Sequence, residues 1–155
     1  MVKDWRIIAY EKKYALSTVS FWRESKEAAI GQKEIHSMTG HIYFLNHMLT
    51  KQFQVDLAVL NETPIGMIAY NEGEINQLYV HLAHQGLGIG GALLEHAKAR
   101  SCGRLKLYTF EVNKKAQQFY EGKEFKKIAF NSDNEEGLPA IEYEWIRCLS
   151  RGSEG

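Results

Sequence analysis

Residues 74–100, EINQLYVHLAHQGLGIGGALLEHAKAR, decide how the rest of the chain is read. Ile75, Tyr79 and Val80, with Leu78 beside them, have the β-branched and aromatic character of a strand, and Leu93, Leu94 and Ala97 recur at helical spacing. Between them lie Gly86, Gly88, Gly90 and Gly91. Without a Cβ, such a backbone turns tightly and lays its N–H groups against a ligand. The first amides of the following helix have no partner within it, so the loop is a ready site for a phosphate or pyrophosphate. Four glycines in six positions are more than a plain strand-to-helix turn requires.

Two phosphate-binding patterns fit the same residues. Gly86, Gly88 and Gly91 match G-x-G-x-x-G, a dinucleotide fingerprint when it opens a βαβ unit, and Glu111 falls about where the ribose-binding acid of such a unit belongs. Gln85, Gly88 and Gly90 match Q-x-x-G-x-G behind the strand segment Leu78-Tyr79-Val80. With that second pattern the sequence resembles the GNAT superfamily of acyl-CoA-dependent N-acetyltransferases, whose corresponding loop holds the CoA pyrophosphate. Local spacing does not choose between the two; the order of elements along the chain does.

Trp5–Tyr10 reads as a short strand. A broken helical pattern through Leu16, Val19, Phe21, Trp22 and Ala29 ends at Gly31, and a second helix after Thr39-Gly40 carries Ile42, Leu45, Met48 and Leu49. Strands over 55–60 and 65–70, joined by a turn at Asn61-Glu62-Thr63-Pro64, form a hairpin, and 74–80 adds a third antiparallel strand. After the glycines come a helix, a strand over 104–111, a helix over 113–120, and strands over 126–130 and 141–147, the last two separated by the polar loop 131–139. The order is β-α-α-β-β-β-α-β-α-β-β; the resemblance implies an α/β fold with a mixed central sheet and helices on both faces. A doubly wound dinucleotide domain would place its glycines directly after an early parallel strand and continue with further βα units. The order found is the one the GNAT fold has, so the resemblance covers residues 1–149 as one domain and leaves 150–155 as a flexible tail.

Composition narrows the class. At 155 residues and 45% hydrophobic content, one domain with one substantial core is expected. Basic and acidic side chains balance at 19 each, which gives no net field toward nucleic acid or an anionic membrane. Cys102 and Cys148 form no paired motif, the N-terminus lacks the apolar run of a signal peptide, and no apolar run approaches the ~20 residues of a membrane span. A cytoplasmic protein follows as the expectation. His36, His41, His47, His81, His84 and His96 form neither H-E-x-x-H nor a Cys/His zinc pattern, so no metal is expected.

The resemblance implies a chemistry: transfer of an acetyl group from acetyl-CoA to a primary amine by direct attack in a ternary complex. An amine with a pKa near 10 is almost wholly protonated at neutral pH, so a base must take its proton. Glu74, eleven positions before Gln85, stands where one branch of the family keeps a carboxylate base; its plain alternative is a solvated turn acid. A bulge near Asn76-Gln77 would bring Ile75, Leu78 and Val80 to one face, and family members carry a bulge here that lets pantetheine enter between splayed strands. Leu78, Tyr79 and Val80 are then expected along pantetheine, with the Tyr79 and Val80 backbone at the thioester oxygen and their side chains in the core. Gln85, Gly86, Leu87, Gly88, Ile89, Gly90 and Gly91 are assigned to the pyrophosphate.

The second family motif, N-x-x-A-x-x-F-Y, is met by Asn113, Ala116, Phe119 and Tyr120. Asn113 is a good N-cap; the resemblance further implies that Asn113 and Phe119 join the cofactor-binding set and that Tyr120 is the candidate acid for the leaving thiolate, its plain alternative being a core tyrosine. Two positions depart from the family pattern: Leu82 replaces a proline, and Glu124 replaces a glycine before Phe125. The resemblance implies a small-molecule or peptide amine as acceptor, with Phe21, Trp22, Tyr43, Phe44, His36, His41 or His47, and Asp133, Glu135 and Glu136 available to its pocket, the plain alternative being core aromatics and a solvated acidic loop; a homodimer is compatible. The rival readings are a non-catalytic acyl-CoA-binding module and an NAD-binding domain.

Overall fold

The computed structural model describes residues 4–147; the expected tail at 150–155 and Cys148 lie outside them. The elements follow the expected order: β1 (Trp5–Ala9), α1 (Ala15–Ile30), α2 (Met38–Phe44), α3 (Thr50–Gln52), β2 (Gln54–Leu60), β3 (Thr63–Tyr70), β4 (Ile75–Val80), α4 (Ile89–Ala99), β5 (Arg104–Phe110), α5 (Lys114–Gly122), β6 (Lys126–Asn131) and β7 (Ala140–Ile146). A π-helical turn, Leu45–Leu49, joins α2 to α3.

Several boundaries differ from expectation for local reasons. α2 begins at Met38 rather than after Gly40, because the Ser37 hydroxyl caps it by accepting the Gly40 N–H at 3.0 Å. The β2–β3 turn has two residues, not four: Asn61 and Glu62 both take positive φ (50° and 64°), so Thr63 already pairs with Leu60. Pro64 therefore lies inside β3, at a bulge between the Ala58–Gly66 and Val59–Pro64 pairs, where its missing N–H breaks no regular ladder. α4 starts at Ile89, so Gly90 and Gly91 belong to its first turn.

β1, β2, β3 and β4 form an antiparallel sheet in that order, and β5, β7 and β6 form a second one. An antiparallel meander leading into the glycine loop excludes the doubly wound dinucleotide arrangement. Among the described residues the segment entering β4 meets β5 through one isolated parallel bridge, Glu74–Lys106, with the Lys106 N–H donating to the Gly73 carbonyl at 3.1 Å. Beyond that seam the two sheets part.

The split sheet is packed on both sides. Ala58, Ile65, Ile68 and Ile75 meet Ile89, Leu93 and Leu94 of α4, Tyr120 of α5, and Leu105, Leu107, Ile141 and Tyr143 of the second sheet in one apolar cluster. Val55, Leu57, Val59, Met67 and Ala69 face Val19, Phe21 and Trp22 of α1 and Leu45 and Leu49 of the π turn in the other. Asn76 is the extra residue of a bulge, since Tyr70 pairs with Ile75 and Ala69 with Gln77. The bulge puts Ile75, Leu78 and Val80 on the same cluster, as the apolar pattern anticipated. Gly66 is where α4 comes closest: a Cβ there would lie 3.0 Å from Ile89 Cγ2 and 3.1 Å from Leu93 Cδ1. Among the described residues no helix is long and apolar enough to cross a membrane.

Candidate active site

The seam and the gap beyond it organise the site. In an antiparallel ladder, residues that exchange both hydrogen bonds alternate with residues whose N–H and C=O face the other way. The His81 N–H donates to the Ile65 carbonyl at 2.8 Å, and the β3–β4 register is unbroken from Gly66–Val80 to Ala69–Gln77. Alternation therefore turns the Tyr79 N–H toward Met67 in β3 and the Val80 and Leu78 N–H groups outward, into the gap. The expectation for the Tyr79 and Val80 backbone narrows to Val80. The Val80 carbonyl leaves on the same edge, where it accepts from Ser25 Oγ at 2.7 Å and Gln85 Nε2 at 3.0 Å.

At the far end of β4 the glycine loop closes onto α4. Gly86 and Gly88 take φ of 81° and 88°, and a Cβ on either would meet nothing within 4 Å, so the loop is an open cradle over the helix N-terminus. Gly90 brings Val80 and Phe119 near, and Gly91 lies beside the Lys123 ammonium. Leu87 is 65% exposed, whereas the Ile89 side chain is buried in the core and contributes its backbone alone. Asn113 caps α5 by accepting the Ala116 N–H at 3.1 Å. Lys115 donates to Gln85 Oε1 at 3.0 Å, and Lys123 lies 5.9 Å above the Phe119 ring. Sequence reasoning missed both lysines. One signal was present: α5 has no acid in its first turn and begins Lys114-Lys115, against the helix dipole, an inconsistency that a nearby anion site would resolve.

Tyr120 packs edge-on against Phe119 and Phe125 and is 7% exposed. Burial pushes its phenol well above the ordinary tyrosine range, and the Tyr79 phenol adds to the rise. Glu124 takes φ +73°, the left-handed conformation a glycine there would adopt freely, and the Phe125 N–H returns to the Tyr120 carbonyl at 3.0 Å. The departure from the family pattern at Glu124 thus leaves the end of the Tyr120 helix intact.

On the opposite face a cleft of about 840 Å³ runs alongside β4 and β5. Trp22, Phe44, Tyr79, Tyr108 and Phe110 wall it, and Glu34, Glu74, Asp133, Glu135 and Glu136 face it with one lysine, Lys26. Lys26 reaches Glu136 at 2.6 Å and Glu34 at 3.4 Å, and all three side chains are nearly buried. Burial acts to lower the Lys26 pKa, but the hydrogen bond and charge of Glu136, aided by Glu34, outweigh it and raise the net value. His36 pairs with Glu135 at 3.0 Å. These contacts tie the loop 131–139 to the segment after α1.

His41 also lines the cleft, edge-on to Trp22 at 4.3 Å, and burial together with Arg23 pushes it down to about 4 despite Glu34. His47 instead packs on the exposed Tyr43, and Phe21 is buried beside His81. The Tyr79 side chain, expected in the core, packs against the apolar cluster under α1 and also lines the cleft, with its phenol in the field of Glu136 and Glu34. Among the described residues no group of three or more His, Cys, Asp or Glu is arranged to hold a metal ion.

A family model described as an acetyltransferase (GNAT) domain matches residues 51–127, about half of the chain. No curated protein sequence matches it. Solved structures do: the apo form of YjaB from Escherichia coli superposes with a TM-score of 0.76 at 20% identity, over 96% of this chain and 100% of that one. A putative acetyltransferase, yncA, from Salmonella typhimurium, solved with its cofactor acetyl-CoA, gives 0.73 at 14% identity over 96% and 97%. Ard1 from Thermoplasma volcanium gives 0.71 at 17% identity over 95% and 100%. A split mixed sheet with a glycine loop at the head of its central helix defines an acetyltransferase-type α/β protein. The chain belongs to the GNAT acetyltransferase family.

Proposed function

We propose that the chain, as one catalytic domain over residues 1–149, transfers an acetyl group from acetyl-CoA to a primary amine within a ternary complex. The observation that carries this reading is the gap between β4 and β5: an unpaired strand edge leads from the Glu74 seam to the glycine cradle. A pantetheine arm fits such a gap, because its amides can use the groups that β5 leaves unpaired. The pyrophosphate fits Gln85–Gly91 and the α4 N-terminus, with Lys115 and Lys123 supplying positive charge beside it.

Acetyl-CoA supplies an activated acyl carbon and a thiolate leaving group. The amine nitrogen attacks that carbon, the C–S bond breaks, the amine gives up one proton and the thiolate gains one. Glu74, on the cleft side of the seam, takes the amine proton directly or through water. The Val80 N–H receives the charge that grows on the acyl oxygen. Tyr120, protonated because burial raises its phenol, returns a proton to sulfur.

The cleft supports a cationic acceptor with an apolar body, since it presents five carboxylates against Lys26 between aromatic walls. The test is calorimetric titration with acetyl-CoA and with NAD, followed by thiol release across a panel of small amines and lysine peptides. Micromolar acetyl-CoA binding, no NAD heat and amine-dependent thiol release are expected. Binding without release for any amine would point to an acyl-CoA-binding module, and no binding would overturn the assignment of Gln85–Gly91.

A further inference from the structure

Ser25 lies on α1, 55 residues from Val80 in sequence, and is 3% exposed. Its hydroxyl donates to the Val80 carbonyl at 2.7 Å, a well-formed hydroxyl bond, and Gln85 Nε2 makes a second bond to the same oxygen at 3.0 Å. A carbonyl has two lone pairs, so these donors satisfy it completely. Val80 is also the residue whose N–H alternation turns into the gap.

We infer that Ser25 is a positioning residue for acyl transfer: by holding the Val80 carbonyl it aims the Val80 N–H at the place where the acyl oxygen develops charge. This inference rests on the function proposed above. In an antiparallel strand the N–H and C=O of one residue leave on the same edge, so fixing the direction of the carbonyl fixes that of the amide. A bare carbonyl on that edge would have two further effects. It would repel an oxyanion forming beside it, and it would offer a partner to β5, whose pairing would close the gap. Ser25 and Gln85 remove both by occupying the oxygen. Ser25 does so from the opposite layer of the protein, which pins the free end of β4 to α1. Gln85, in the loop proposed to bind pyrophosphate, does so from the cofactor side. Loop and oxyanion donor are thereby mechanically linked through one carbonyl.

The test uses the full chain as wild type, Ser25→Ala and Ser25→Cys, the thiol being a weak donor of similar shape. Two readouts are taken: the carbonyl-carbon NMR shift of Val80 in labelled protein, and kcat and KM for acetyl-CoA from thiol release. Ser25→Ala is expected to move the Val80 carbonyl resonance upfield and to lower kcat about tenfold, a fraction of the loss when such a donor is deleted outright. KM for acetyl-CoA is expected to stay within about twofold, and Ser25→Cys to recover part of kcat. A purely structural hydroxyl would lower Tm and leave kcat alone. An unmoved Val80 resonance, or a moved resonance with unchanged kcat, overturns the inference while wild-type turnover upholds the proposed function. A wild type that releases no thiol with any amine overturns that function, and the positioning role with it.

Discussion

Glu74 lines the cleft and Tyr120 is buried in the apolar cluster on the α4 side of the sheet, and each proposed role predicts a different signature when the residue is changed. Glu74→Gln is expected to lower kcat at neutral pH by about 100-fold with the acetyl-CoA Kd unchanged. Its rate should climb steeply toward pH 10, where an amine loses its proton unaided; a pH–rate profile identical to wild type would leave Glu74 as a seam residue without a chemical role. For Tyr120 the sign is opposite. A raised phenol pKa keeps the acid protonated through alkaline pH, so wild-type kcat should not fall through pH 10 on its account, and Tyr120→Phe should lose about 100-fold at every pH. Retention of full kcat by Tyr120→Phe would remove the acid from the mechanism. His41 acts on stability. Its folded pKa of about 4 lies below the ordinary 6.5. Between those values the unfolded chain binds a proton that the folded chain refuses, so the contribution of neutral His41 is complete above about pH 6.5 and lost as pH falls to about 4. It is expected to be on the order of 2 kcal/mol, and His41→Phe should flatten that part of the acid slope of Tm.

At the scale of elements, α4 is held by a close approach to β3 at Gly66 and carries the glycine cradle at its first residue, Ile89. A methyl group at Gly66 would press on Ile89 and Leu93, branched side chains locked in the core, so the helix must yield. Gly66→Ala is expected to cost about 1–3 kcal/mol and, because the cradle moves with the helix, to raise KM for acetyl-CoA more than it lowers kcat. Comparable Tm loss with an unchanged KM would separate packing from the cradle. Single elements were also the part of the fold most readable from sequence. Period-two runs, turn residues and the Asn113 cap placed them within a few residues, and the Ile75/Leu78/Val80 mismatch pointed to the bulge at Asn76. Where boundaries failed, at Met38 and at Thr63, the deciding force was a single side-chain cap or a pair of positive-φ residues, which apolar periodicity does not carry.

At the scale of the whole molecule, the sequence carried less. Which residues flank the loop depends on how α5 lies against α4, so Lys115 and Lys123 read as ordinary surface cations until the fold brings them to Gln85 and Gly91. The Lys26–Glu34–Glu136 cluster joins the first helix to the last loop and leaves no local pattern. Tyr79 packs on the cluster under α1 as expected, but that it also edges the cleft was not legible, because strand alternation marks a face and does not tell how far that face is covered. The seam at Glu74–Lys106 has a consequence for how the molecule behaves as a body. Among the described residues seven strands divide into four and three with one bridge between them, so a guest threaded into the gap takes the place of an eighth strand. Acetyl-CoA would then act as a splint across two half-sheets. Hydrogen–deuterium exchange should report it: the Leu78 and Val80 amides, open on the free edge, should slow on addition of acetyl-CoA, while Tyr79, already tied to Met67, should change far less.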